Sequence, residues 1–292
     1  MDSRKQYDIA MIGHFAKDRI IALGKERTSA GGAVYYGSIP VSNIGFKVAV
    51  ITRVADSDIE MIKPMEEYGV DVFPIASDVT SGIENRYIDE TLERRECTPL
   101  AFAGAYDYED FPEIESKIWH IGSLIKGEVD FDLLEKISAL GRLSADAQGF
   151  VRAMKNGKLE YEDWKEKIDA LPLIEFLKCD AAEAEILTGL SDIKEAATKL
   201  KSWGAKEIVL THPGGLMIHY EDKFFNTKFN PSVVRGRTGR GDTCISSYVA
   251  WRLEHDPEES CRFAAALCSL KMENEGPYTG TVEQVIEKMG SK

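Results

Sequence analysis

The stretch RGRTGRGDTCISSYVAWRL, residues 235–253, holds glycines at 236, 239 and 241, an aspartate at 242, and then a helical period. Glycine lets a backbone turn tightly and come close to a ligand. Ile245, Val249 and Leu253 recur every four residues, the spacing of a helix with one buried face. The turn therefore ends at a helix N-terminus, where the free N–H groups of residues 239–242 converge and the helix dipole is positive. Such a cradle suits a phosphate or a developing phosphoryl charge. Asp242 falls inside it, placed to accept the proton of a substrate hydroxyl while the amides of Gly239, Arg240 and Gly241 hold phosphoryl oxygens. An aspartate is equally a favoured N-cap on backbone grounds alone, and spacing does not choose between the two. Two other Gly-rich devices are excluded. No lysine follows Gly241 as a Walker A loop requires, and the turn lies far from the first strand, where a dinucleotide fingerprint belongs.

A cradle of this kind needs a rigid frame. Short apolar runs at 8–13, 48–52, 70–75, 118–122, 143–146, 174–178 and 207–211 read as buried strands. Helical stretches lie between them, such as 57–68, with Ile59, Ile62 and Met65 on one face, and 132–140. This alternation predicts a doubly wound α/β core, a mainly parallel sheet with helices on both faces. Residues 215–229 read as a hairpin, followed by helices over 242–253, 258–274 and 282–289.

Residues 17–27 and 82–103 break the alternation. They carry strand-like runs with no helix between them and many charges: Glu84, Arg86, Asp89, Glu90, Glu93, Arg94, Arg95 and Glu96. Antiparallel strands with one solvated face look like this, and the two segments are expected to pair as a small β lid. Residues 1–16, 28–81 and 104–292 then form the core. The alternative is that 82–103 is only a long surface hairpin. On a strand, Asn85 and Tyr87 share a face.

The composition excludes whole classes of function. With 36 Lys and Arg against 49 Asp and Glu, the 292-residue chain has a net charge of −13, which repels a nucleic-acid backbone. A hydrophobic fraction of 43% and a charged fraction of 29% belong to an ordinary folded protein, not a disordered one. No run approaches the apolar length of a membrane span, and the N-terminus is charged where a signal peptide is apolar, so a cytoplasmic location and no membrane partner are expected. The five cysteines, at 97, 179, 244, 261 and 268, show no zinc spacing and are expected to be reduced and mostly buried.

The motifs together resemble the ribokinase/PfkB family of carbohydrate kinases. Thr238-Gly239-Arg240-Gly241-Asp242 is similar to that family's TGAGD signature, and SAGGAVYYGSIPVSNIG (29–45) to its glycine-pair segment. KCDAAEAEILTG (178–189) is similar to its N-x-x-E segment, with Asp180 for Asn and Glu183 as Glu, and THPGGLMI (211–218) to the strand and turn under its nucleotide. The match runs through nearly the whole chain in order.

The resemblance implies a ribokinase-like fold and ATP-dependent phosphorylation of an alcohol on a sugar, polyol or nucleoside. Asp242 would be the base, with the amides from Gly239 to Asp242 as anion hole. Asp18, Gly31 and Gly32 would grip the acceptor, and Thr211, Gly214, Gly215 and Asn274 would border the nucleotide. Asp180 and Glu183 would bias Mg²⁺ through bound waters, or else simply form a solvated first helical turn. Arg240 stands where the family usually has Ala: its guanidinium would contact a phosphate, or point outward while only its amide works. Gly236 stands where many members have the aspartate of a monovalent-cation loop, so potassium activation is not expected. Tyr36 would meet the acceptor ring or belong to the core. SADAQGFVR (144–152) is faintly similar to inositol 3-kinases, which would turn Gln148 and Arg152 toward the cleft, unless they form a polar turn. Asn85 would face the acceptor from the lid, and lids would pair two chains into a homodimer. A nucleoside kinase, or a catalytically silent metabolite-binding relative, are the alternatives.

Overall fold

A computed structural model describes residues 4–22, 24–88 and 95–290. The strands are β1 (Lys5–Ile12), β2 (Ala16–Ala22), β3 (Lys25–Gly31), β4 (Val48–Val54), β5 (Asp71–Ala76), β6 (Gly82–Tyr87), β7 (Arg95–Ala101), β8 (Ile114–Ile121), β9 (Arg142–Asp146), β10 (Arg152–Lys155), β11 (Lys158–Tyr161), β12 (Phe176–Asp180), β13 (Glu207–His212), β14 (Gly215–Tyr220) and β15 (Lys223–Lys228). The helices are α1 (Ala33–Asn43), α2 (Lys63–Glu67), α3 (Phe131–Ser138), α4 (Gln148–Val151), α5 (Lys167–Ala170), α6 (Ala181–Thr188), α7 (Ile193–Ser202), α8 (Arg240–Trp251), α9 (Pro257–Met272) and α10 (Val282–Gly290).

All seven apolar runs are strands of one nine-stranded sheet, ordered β15, β14, β13, β12, β9, β8, β1, β4, β5. Its neighbours are parallel except at the β13–β14–β15 edge. Alternate residues of β1 feed two cores: Ala10 and Ile12 join Leu134, Leu187 and Leu200 on one face, and Ile9 and Met11 join Ile39, Ile245 and Val249 on the other. Helices α3, α6 and α7 thus cover one face and α1, α8 and α9 the other, which is the doubly wound α/β arrangement. Among the described residues no helix is long and apolar enough to cross a membrane.

The predicted helix over 57–68 is broken in two. A 3₁₀ segment, Asp56–Ile62, gives way to α2, with Pro64 in its first turn, where a missing N–H costs nothing.

The segments that broke the alternation form a separate four-stranded sheet, ordered β3, β2, β6, β7. Both hairpins are antiparallel, but they join through a parallel β2–β6 pair rather than the antiparallel one expected, because the chain re-enters from the same end of the core. Strand β3 runs as far as Gly31 and so leads straight into the glycine pair. Leu23 and the charges Asp89, Glu90, Glu93 and Arg94 lie outside the described residues. A second small hairpin, β10–β11, was not anticipated. It turns at Asn156-Gly157, both with positive φ, the residue pair that a tight hairpin favours.

Gly32 ends the lid and starts α1 at φ 88°, and a Cβ there would fall 2.3 Å from the His14 carbonyl oxygen. Gly32→Ala is expected to cost about 2–4 kcal/mol of stability, from a disfavoured φ plus a backbone clash. A urea midpoint unchanged from wild type would contradict this.

Candidate active site

In an open parallel sheet, ligand sites lie at the carboxyl ends of the strands. Here Asp146 ends β9, Asp180 ends β12, Thr211 and His212 end β13, and α8 begins beside them.

The signature turn rests on a tyrosine. Gly239 is the left-handed N-cap of α8 at φ 79°, and a Cβ on it would lie 2.1 Å from Tyr36 Cγ. Only glycine fits between that ring and the helix start. Tyr36 is 2% exposed, so it serves as the floor of the turn and is packed as a core residue would be. Thr243 ties the same two helices together, its Oγ1 donating to the Tyr36 carbonyl at 3.0 Å. The Arg240 amide, expected in the anion hole, donates to the Arg237 carbonyl at 3.2 Å. The amides of Gly239 and Gly241 find no acceptor among the described residues, which leaves two donors at the positive end of the α8 dipole. Asp242 follows in the first turn, half-buried.

A lysine that the sequence reading missed stands behind this turn. Lys178, inside β12, is buried, with Nζ 3.0 Å from Asp146 Oδ2 and 3.5 Å from Glu183 Oε2. A Cβ on Gly241 would fall 3.2 Å from that Nζ. Burial pulls the ammonium toward deprotonation, but Asp146, Glu183, Asp180 and Asp242 outweigh it and hold its pKa well above the ordinary lysine value. A charged residue inside an otherwise apolar strand was the available signal.

Asp180 and Glu183 form a capping box at the start of α6: the Glu183 amide donates to Asp180 Oδ1 and the Asp180 amide to Glu183 Oε2, both at 2.8 Å. Glu183 is 1% exposed, so the solvated first turn offered as an alternative does not describe it. Burial raises its carboxyl above the usual range against the pull of Lys178. Among the described residues no three His, Cys, Asp or Glu side chains group as direct metal ligands.

At the lid, Asp18 is buried in β2, its Oδ1 accepting from the Ile83 amide at 2.8 Å and its Oδ2 lying against Gly31. Burial raises the pKa of the Tyr36 hydroxyl, and the charges of Asp18 and Asp242 add to that rise. Tyr87, not Asn85, reaches from the lid to the core: its hydroxyl meets Thr238 Oγ1 at 2.8 Å. Asn85 is buried within the lid against Cys97 and the Ile83 carbonyl. Arg152 is buried, with Nε and one terminal nitrogen donating to the Leu124 carbonyl at 3.0 and 2.5 Å. Gln148 approaches the carbonyls of Ser123 and Leu124. Both buttress the 122–125 loop.

On the donor side, Thr211 is buried, Gly214 and Gly215 make the tight β13–β14 turn, and the Arg240 guanidinium lies 5.4 Å from the Phe229 ring centre. Burial and then the Arg240 charge lower the pKa of His212. Asn274 is exposed after α9 and bonds the Leu270 carbonyl, on the wall of a separate 560 Å³ hollow.

The large sheet, its helices and the small lid sheet are the ribokinase-like α/β fold. The profile of the pfkB family carbohydrate kinases matches residues 7–284, and the chain belongs to that family, whose members are phosphotransferases acting on hydroxyl groups. A pyrophosphate-dependent kinase in the ribokinase family, solved with a pyrophosphate analog and myo-inositol, is 35% identical, with a TM-score of 0.88 over 96% of this chain and 99% of that one. The cytidine kinase of Thermococcus kodakarensis is 26% identical over 267 residues, 87% of this chain and 91% of that protein. Arabidopsis thaliana ribokinase, solved with ribose and ATP, shares the fold at 17% identity and a TM-score of 0.76, over 98% of this chain and 99% of that one.

Lys178→Met strands Asp146 and Glu183 in the interior, and is expected to cost about 3–5 kcal/mol near neutral pH. The stranded carboxyls gain protons more readily folded than unfolded, so the deficit shrinks as pH falls toward about 5. Denaturant titrations at the two pH values read this, and an equal loss at both would contradict it.

Proposed function

We propose that this kinase phosphorylates a hydroxyl of a compact polyol of the inositol class, with Asp242 as general base. The observation that carries the reading is the floor formed by Tyr36, which packs against Gly239 and whose hydroxyl feels the charges of Asp18 and Asp242. Donor phosphoryl oxygens would lie on the Gly239 and Gly241 amides with the Lys178 ammonium behind them. The acceptor hydroxyl, held by Asp18 at the glycine pair, gives its proton to Asp242 as its oxygen bonds to phosphorus. The bond from phosphorus to the donor's leaving oxygen breaks in line. Likeness at 35% identity to a kinase solved with myo-inositol supports the acceptor class, and the Tyr87–Thr238 hydrogen bond ties the lid to the signature turn. A nucleoside acceptor, which the cytidine kinase relative keeps as the second reading, would need that tie to open.

ATP is the donor expected of the family. Pyrophosphate is a second donor favoured by one departure: Arg240, in place of the usual alanine, sets a permanent charge beside Phe229 and His212 on the donor side. Four carboxylates around the single Lys178 ammonium suit a hydrated Mg²⁺, which prefers few direct protein ligands. Asp180 and Glu183 would hold its waters through the oxygens their capping box leaves over, and the ion would neutralise donor charge. The lid is also proposed to pair two chains. Val79 and Leu100, 43% and 46% exposed, line one hollow on it.

Phosphate transfer assayed over a panel of cyclitols, sugars and nucleosides, with ATP and with pyrophosphate, tests the assignment. The expected result is turnover of a cyclitol above every nucleoside, and nucleoside preference overturns it. Asp242→Asn should lower kcat by about 10²- to 10⁴-fold with a smaller change in KM, and undiminished turnover removes the base assignment. Light scattering at micromolar concentration should give twice the chain mass, and Leu100→Glu should return it to one.

A further inference from the structure

Lys271, on α9, is fully buried, and among the described residues it has no acid within ion-pair distance. A buried ammonium is costly unless something compensates it, so its surroundings identify its task. Nζ donates to the Gly236 carbonyl at 3.3 Å and lies 5.1 Å from the centre of the Tyr36 ring. Both partners belong to the anion-binding turn: Gly236 lies in the 235–238 loop that leads into α8, and Tyr36 is the floor under Gly239. Cys268, one turn earlier on α9, donates from Sγ to the Arg240 carbonyl at 3.4 Å. The ammonium therefore fills the wedge where loop, floor and helix start meet.

We propose that Lys271 is a positioning residue whose ammonium is a tethered cation: it clamps the 235–238 loop onto Tyr36 and keeps the Gly239 and Gly241 amides aimed at the incoming anion. The anion's identity as a transferring phosphoryl group rests on the function proposed above; the clamp itself does not. The groups that act on the ammonium are Tyr36 from α1, Asp242 from α8 and Cys268 on α9, while Arg235 and Arg237 flank its carbonyl partner. The Asp242 charge favours the protonated form of Lys271.

Burial lowers the Lys271 pKa to about 8 against the pull of Cys268 and Asp242. As pH rises through that value the cation is lost, the clamp loosens, and anion affinity falls. Tyr36, raised by burial, stays neutral over this range.

Sulfate is a suitable probe, since its charge is constant from neutral to alkaline pH. Calorimetric titration of the whole protein is expected to show sulfate affinity falling about tenfold between about pH 7 and about pH 9.5. Lys271→Arg, whose charge does not titrate here, should keep the neutral-pH affinity throughout. Lys271→Met should bind at pH 7 as weakly as wild type does at the alkaline end, and its kcat should fall about 10²-fold, the cost of misplacing a phosphoryl-binding donor. Wild-type sulfate affinity that is flat with pH or undetectable at neutral pH overturns the proposal. So does a Lys271→Met protein with wild-type melting behaviour and wild-type affinity. Sulfate binding needs neither acceptor nor turnover, so failure of the kinase reading shows in the acceptor panel and failure of the clamp shows here.

Discussion

The contact between Gly239 and the face of Tyr36 is the constraint on which the site depends. A backbone in the left-handed region, set against the root of an aromatic side chain, leaves no room for any side chain of its own, and it fixes where α8 starts. Tyr36 belongs to α1, whose own start is the second glycine of the pair beside Asp18. One ring therefore sets the spacing between the start of α8, proposed to bind anions, and the glycine pair with Asp18, proposed to grip the acceptor. Neither helix can shift alone without opening a gap or a clash in an interior packed to crystal density.

Around this contact the chain spends cationic charge where its surface does not. The molecule carries a net charge of −13, yet two lysines, Lys178 and Lys271, are buried within reach of the start of α8. They are held in opposite ways. Lys178 is bracketed by carboxylates that hold its pKa well above the ordinary lysine value, whereas Lys271 touches a carbonyl and a ring, with Asp242 and Cys268 acting from farther off, and burial lowers its pKa to about 8. A permanent and a labile positive charge thus flank the same two amides. Fixed, desolvated charges of this kind act on a phosphoryl group without the reorganisation that solvent would need.

Much of this could be read from the residues alone. The parallel sheet was legible because strands buried on both faces must be apolar throughout, as in VAVIT of β4. The lid was legible because charge interrupted that pattern. The signature turn was legible because glycine spacing and a following helical period are local signals. Packing and partner choice were not. The Arg240 amide goes to Arg237 rather than to an anion, and Arg152 goes to the Leu124 carbonyl, because a buried donor takes the acceptor that tertiary structure brings closest. The parallel β2–β6 join depends on the direction of a distant chain segment, which no local window contains. The Lys178 cluster joins residues 146, 178 and 183 across two strands and a helix, and only the carboxyl-end rule for such sheets hinted at it.

The placement of Asp18 and Gly31 carries one more implication. Both lie in strands of the small sheet itself, β2 and β3, and Tyr87 of that sheet is moored to Thr238 across the cleft. The cover and the grip are one object. On the proposed function, a cover that lifts would carry the gripping carboxylate with it, so unloading would require no separate trigger. The pace of each cycle would then be tied to how often a single hydroxyl-to-hydroxyl mooring lets go.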